Sequence, residues 1–292
     1  NSLMLERDLR EIHDNVWYLS QYLKFGSVEE VYKANRWDLN ISIAAYHRLV
    51  KKSGIVKSSG RREASLSESL AFFAKKALEP TVGLETLYHD FVPASFQTSL
   101  ASLHRIYNRI LNHEPVRNAT ALIVHPRQYS DQVLFGNEIF TNRRFGSHSG
   151  DISVPMCFSD KGESGFISVL RVLQRECFTD LAASGKFGIG SQEVFEIIPE
   201  NIGPFAYFDI LDVRVSLFEV SLPDYYLDKL SSYKLANHKF INISDREFIK
   251  QNLRLGVSEI LDTFSLYKQS SETGKPVFVN SLINRELAPI TF

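Results

Sequence analysis

The chain has 292 residues, 44% of them apolar, with 21 Phe and 12 Tyr. That is enough to fill two or three cores at roughly 100–200 residues per domain, and it argues against wholesale disorder. The net charge of −1 conceals an asymmetry: no acid interrupts the run Leu39–Arg62, which holds Arg48, Lys51, Lys52, Lys57, Arg61 and Arg62. Cys157 and Cys177 sit in no CxxC or Cys/His spacing, which argues against a disulfide scaffold or a structural zinc site. No apolar run approaches the roughly 18–20 residues that cross a bilayer, and Asn1–Arg10 has no signal-peptide core. The expectation is a cytoplasmic protein with no membrane partner.

Leu5–Phe25 places apolar residues at Leu5, Leu9, Ile12, Val16, Leu19 and Leu23, a period that predicts an amphipathic helix ending at Gly26. Ser27-Val28-Glu29-Glu30 has the form of a capping box and opens a short helix to about Ala34. After a break at Asp38-Leu39-Asn40, a second helix is expected over Ile41–Lys52. Its inner face would be Ile43, Tyr46 or His47, and Val50, leaving Ser42, Arg48, Lys51 and Lys52 outside. Short helix, tight turn and basic helix resemble helix-turn-helix DNA-binding modules, whose second helix lies in the major groove. The resemblance implies phosphate contacts from Arg48, Lys51, Lys52, Lys57, Arg61 and Arg62, with Ser42 and His47 as candidates for base edges.

Ser65-Leu66-Ser67-Glu68 reads as another capping box, starting a helix to about Leu78. The earlier pattern then returns as a short helix, Leu84–Phe91, a break at Val92–Ser95, and a longer helix, Ser99–Leu111. Matching Glu30-Val31-Tyr32 with Thr86-Leu87-Tyr88 brings Tyr46-His47-Arg48 near Leu103-His104-Arg105, which predicts an internal duplication. The second unit offers Ser99, Ser102, Arg105 and Arg109. It is less basic, and its alternative role is packing between domains or dimerisation.

Beyond Asn118 the texture changes. Strands are expected at Ala119–Val124, Gln132–Phe135, Asp151–Met156, Val194–Ile198, Phe205–Ile210 and Val213–Val220. Helices are expected at Phe166–Ala183, after Ser244-Asp245-Arg246-Glu247, and at Val257–Tyr267. The fold class is therefore a multidomain chain: an all-α part with two helix-turn-helix units (1–63 and 64–116), then an α+β domain (117–292).

Pro155–Glu176 has the spacing of a Nudix box, in which Gly, five residues, Glu, seven residues, Arg-Glu, an apolar residue, any residue and Glu-Glu follow one another. Cys157 falls on the glycine, Glu163 on the first glutamate, and Arg171 on the arginine. Val172 replaces the next glutamate, and Arg175 and Glu176 stand at the closing acid pair. Ala121–Val124 with Val133–Gly136, and Val213–Val220 with Phe240–Phe248, resemble the strands flanking such a box. The resemblance implies an α/β/α sandwich over about residues 117–268. It also implies a helix face that carries acids for a divalent cation, because residues three and four apart share a face. Here Val172 cannot coordinate and Arg175 repels a cation, so no catalytic or metal-binding residue is assigned, and Mg²⁺ enters only if the site is active. Glu193, Glu196, Glu200 and Asp212 are the acids outside the box that could restore a site. Glu163, Arg171 and Glu176 otherwise brace loop and helix as ion pairs.

A nucleotide-like ligand is expected to meet Arg143 and Arg144 before the box, together with Glu163, Arg171 and Glu176. The leading expectation is a DNA-binding transcriptional regulator, a homodimer on double-stranded DNA, whose Nudix-like domain senses a ligand or assembles the dimer. It resembles Nudix-related transcriptional regulators, although the module order familiar from one such group is the reverse. The alternatives are a Mg²⁺-dependent hydrolase of a nucleoside diphosphate derivative and a protein-interaction scaffold.

Overall fold

Helix α1, Ser2–Phe25, turns at Gly26 into α2, Val28–Ala34, whose N-cap Ser27 accepts from the Glu30 amide as the capping-box pattern requires. Helix α3 follows at Ile43–Lys52, capped by Ser42 through the Ala45 amide. The computed structural model describes residues 2–59, 63–139, 149–249, 251–270 and 274–289. Two details of the first unit differ from expectation. The link from α2 to α3 is not a tight turn: it occupies residues 35–42 and passes through left-handed Arg36 and Trp37. Ile43 is outside rather than inside, so the buried face of α3 is Tyr46 and Val50.

The next three helices repeat that plan. They are α4, Glu63–Leu78, α5, Leu84–Phe91, and α6, Leu100–Leu111. Ser99 caps α6 through the Ser102 amide, just as Ser42 caps α3. The fifth residue of α2, Tyr32, donates its hydroxyl to Ile41 O, and the fifth residue of α5, Tyr88, donates to Thr98 O. Each acceptor immediately precedes the capping serine. Tyr46 and Leu103 occupy matching positions, both fully buried. The capping box expected at Ser65–Glu68 is absent, because α4 already begins at Glu63. Glu68 instead accepts from the Gln97 and Thr98 amides, bracing the α5–α6 link.

The remaining chain builds two sheets. Strands β1 (Arg117–Pro126), β4 (Met156–Ser159), β5 (Ala206–Ile210), β6 (Val213–Leu222) and β8 (Val277–Asn280) form one in the order β4-β1-β6-β5-β8. Strands β2 (Gln132–Glu138), β3 (Ile152–Ser153) and β7 (Leu235–Asn242) form the other, antiparallel, in the order β3-β2-β7. The strand expected at Asp151–Met156 is in fact β3 and β4 in different sheets, divided at Pro155, which has no amide to give a ladder. One face of β1 (Leu122, Val124) packs with α7 (Gly165–Glu176), α8 (Thr179–Ala183) and α9 (Gln192–Ile197). The other face (Ala121, Ile123) packs with α11, Val257–Gln269, and with Phe248 of α10, Arg246–Ile249. This is the alternating burial of a central strand with helices on both sides. Helix α12, Leu282–Leu287, joins α4–α6 in a third cluster around Phe72, Phe73 and Leu103.

Three further expectations change. Val194–Ile198 is the end of helix α9 and not a strand: Val194 and Ile197, three apart, are buried while Phe195 faces out, a helical alternation hidden in a β-branched run. The helix expected over Phe166–Ala183 breaks at Cys177-Phe178, where the Ser231 amide and carbonyl bond to Cys177 O and Thr179 N. Asp245, not Ser244, caps α10, accepting from the Glu247 and Phe248 amides.

The first helical unit shares a core with the sheet domain: Leu19, Tyr22, Val31, Tyr46 and Val50 belong to the same buried cluster as Val169, Val172 and Leu173 of α7. The backbones touch where α3 ends. Ile189 N donates to Gly54 O, 2.8 Å, and a Cβ on Gly188 would drive into the Ser53 carbonyl. Gly188→Ala is therefore expected to cost about 1–3 kcal/mol, as overpacking does. Urea denaturation checks the loss, and hydrogen exchange should show amides 54–58 opening first. Among the described residues, no helix is long and apolar enough to cross a membrane.

Candidate functional site

Helix α7 starts at a side-chain cap, Ser164 accepting from the Ile167 amide. The preceding Glu163 reaches over the first turn to Arg171, whose side chain is only 3% exposed. The two groups form a fork, with Nη2 donating to Oε2 at 2.6 Å and Nη1 to Oε1, while Ser168 Oγ donates to Oε1 at 2.6 Å. Asp160 lies 3.7 Å away from the same guanidinium. A planar guanidinium paired bidentately satisfies a buried charge better than a point charge does.

Arg171 also donates from Nε to Lys57 O, 2.6 Å. One turn on, Gln174 gives Nε2 to Gly54 O and Phe187 O and accepts from Val56 N at 2.8 Å. The Arg175 guanidinium sits beside Gly26, at the α1–α2 junction. Residues 171, 174 and 175 share a helix face by their spacing. That face holds the segment leaving the basic helix α3.

The next face carries Val172 and Glu176. Val172 is fully buried in the core. Glu176, 2% exposed, accepts from Met156 N at 2.8 Å and from Lys234 Nζ at 2.8 Å, and the same ammonium donates to Met156 O at 2.9 Å. Burial pushes the Glu176 carboxyl up, and the Lys234 ammonium works against that shift. Burial also pushes the Cys157 thiol up, to about 12, which leaves it an unreactive apolar filler. Where the box spacing leaves one acid to hold a cation, an internal lysine supplies the positive charge.

Sequence reasoning grouped Glu163, Arg171 and Glu176, but the structure unites only the first two. Glu176 lies at the far end of α7, about 7–8 Å of helical rise beyond Arg171, and has different partners. Arg143 and Arg144 lie outside the described residues. Of the acids outside the box, buried Asp212 pairs with Arg117 and Arg109, Glu196 accepts from Tyr225 and Tyr226, Glu193 is half-buried and Glu200 is exposed. Among the described residues, no three His, Cys, Asp or Glu side chains cluster as metal ligands do. Lys234, Gln174 and Ser168 were missed. Lys234 lies 58 residues from Glu176, and no local pattern announces such a pairing.

These geometries frame the comparisons. The solved structures similar to this chain include Nudix hydrolases. One from Nitrosomonas europaea matches at 12% identity and TM-score 0.39, over 57% of this chain and 81% of that one. An Ap4A hydrolase from C. elegans matches at 14% and 0.35, over 53% and 98%. An ADP-ribose pyrophosphatase from Streptococcus suis matches at 16% and 0.34, over 56% and 98%. At such identities and scores the likeness carries nothing about chemistry. No protein-family model and no curated protein matches the chain.

On α3, His47, Arg48, Lys51 and Lys52 are exposed, as are Ser42 before it and Lys57 beyond. His47 Nε2 lies 3.7 Å from Glu29. Arg61 and Arg62 lie outside the described residues. On α6, half-buried Ser102 accepts from exposed Arg105 at 3.0 Å, whereas Arg109 reaches Asp212 at 3.4 Å. The second unit therefore commits one of its two arginines to the sheet domain.

Proposed function

We propose that this chain is a DNA-binding regulator whose first helical unit docks α3 on duplex phosphates, and whose Nudix-like domain serves as a non-hydrolytic platform for that unit. The observation that carries the reading is the clamp behind α3. Arg171 and Gln174 bond to Gly54, Val56 and Lys57, and Arg175 lies beside Gly26, so the exposed row Arg48, Lys51, Lys52 and Lys57 is presented from a packed base. The two helical units would act as helix-turn-helix modules with a long link, and a dimer would pair them on adjacent half-sites. The reading divides the chain at 63/64 and 116/117.

Hydrolysis is the second reading, and Glu176 is the residue on which it turns. Its carboxylate is engaged by Lys234 and Met156 N, which leaves a divalent cation to displace an ammonium. Two assays separate the readings. Fluorescence anisotropy with random-sequence duplex DNA should show binding that weakens steeply with salt. Incubation with Mg²⁺ and diadenosine tetraphosphate or ADP-ribose should leave the substrate intact. Mg²⁺-dependent turnover lost in Glu176→Gln, with no DNA binding, would replace the regulator reading by the hydrolase one.

A further inference from the structure

A cleft opens under the first turn of α7, at the end of the sheet away from Glu176. Its volume is roughly 240 Å³, below the roughly 300–1,000 Å³ of drug-sized sites and so suited to a smaller ligand. Its floor is polar: Asn118 of β1, Ser159 of β4 and Ser216 of β6, with Ser168 of α7 above and Phe218 as an apolar wall. The strand register explains the grouping. Asn118 pairs with Ser159 across β1–β4, and Thr120, two residues on and so on the same face, pairs with Ser216 across β1–β6.

Thr120 is the second observation. It is 1% exposed, and its Oγ1 has no hydrogen-bond partner among the described residues. A buried hydroxyl without a partner is costly and rare in native proteins. Its neighbours along and across the strands, Asn118 and Ser216, both line the cleft, so Thr120 lies just behind that lining, with its hydroxyl closed to solvent.

The charges select the ligand. Among the described residues, no Lys, Arg or His lines the cleft, while Asp160 and Glu163 stand at its rim. Arg171, the nearest guanidinium to those acids, is consumed by Glu163 and Lys57 O. A phosphate would meet carboxylates with no cation to receive it. Hydroxyls and an amide facing an aromatic edge suit a neutral molecule that both donates and accepts at several points.

We propose that this cleft binds a neutral polyhydroxylated small molecule of monosaccharide size, with Asn118, Ser159, Ser168 and Ser216 bonding its hydroxyls. The site stands whether or not the chain binds DNA, because its test contains none. It also has a mechanical consequence: Ser168 and Glu163 touch the cleft, and Glu163 holds the arginine that holds Lys57 O.

The experiment is saturation-transfer NMR and thermal denaturation of the full chain with D-glucose, D-ribose and myo-inositol, with inorganic phosphate as the charged counterpart. At least one polyol should bind and raise Tm, and phosphate should not. Asn118→Ala, which removes a lining amide, should weaken polyol binding roughly fivefold or more. Ser216→Ala should weaken binding in the same direction. Failure of all three polyols to bind would overturn the proposal. So would phosphate binding as tightly as the polyols, or unchanged polyol affinity in both variants.

Discussion

Reversing Arg48, Lys51 and Lys52 together to Glu is expected to weaken duplex binding by at least roughly 100-fold at moderate salt and to flatten the salt dependence by about three charges. The three side chains are exposed on one side of α3, while Tyr46 and Val50 anchor its other side in the core. The substitutions should therefore leave Tm almost unchanged, as surface changes usually do. The matching change on the second unit, Arg105→Glu, should cost less, because α6 exposes fewer cations and Arg109 is turned to Asp212. Anisotropy titrations at several salt concentrations, read beside thermal melts, check both. Unchanged affinity in the triple variant would leave α3 as a solvated basic face and favour a scaffold role for the helical half.

The helical half was legible because its signals are local. Apolar spacing and the Ser27 cap marked the helices, Ser42 and Ser99, expected inside theirs, prove to be caps, and the match of Tyr32 with Tyr88 survives as the same side-chain-to-carbonyl contact. The box spacing also located α7 and the Glu163–Arg171 fork, which is a contact within one loop and helix. What was not legible depends on distant partners. Ser65–Glu68 looks like a cap until Glu68 finds the amides of Gln97 and Thr98. Val194–Ile198 looks like a strand until its two buried residues are seen to lie three apart. Tyr46 and His47 could not be separated as inward residues, because a one-position rotation of a short helix is settled by what it packs against. The roles of Arg171 and Gln174 toward residues 54–58 span more than 110 positions. No motif at either end encodes such a contact.

Glu176 and Lys234 give the second large effect. Lys234→Met is expected to lower stability by about 3 kcal/mol, on the order of 5–10 °C in Tm, since it leaves a buried carboxylate with one amide donor and no countercharge. The double variant Lys234→Met, Glu176→Gln should recover most of the loss, because a neutral amide can still accept from Met156 N. The sign of the pH dependence separates this from simple loss of packing. With the ammonium gone, burial and the nearby Glu138 charge are opposed only by the Met156 amide, and the Glu176 carboxyl rises further. The folded single variant then holds a proton that the unfolded chain releases near the ordinary carboxylate value. Its deficit should be small below that value and grow as pH rises through the raised one. The double variant has no such group, so that fall in stability with rising pH should be absent from its own profile. Urea denaturation of the three proteins between pH 4 and 8 tests this. Parallel pH profiles for single variant and parent would mean that Glu176 does not depend on Lys234 for its charge. The helix face would then be free to hold a cation after all.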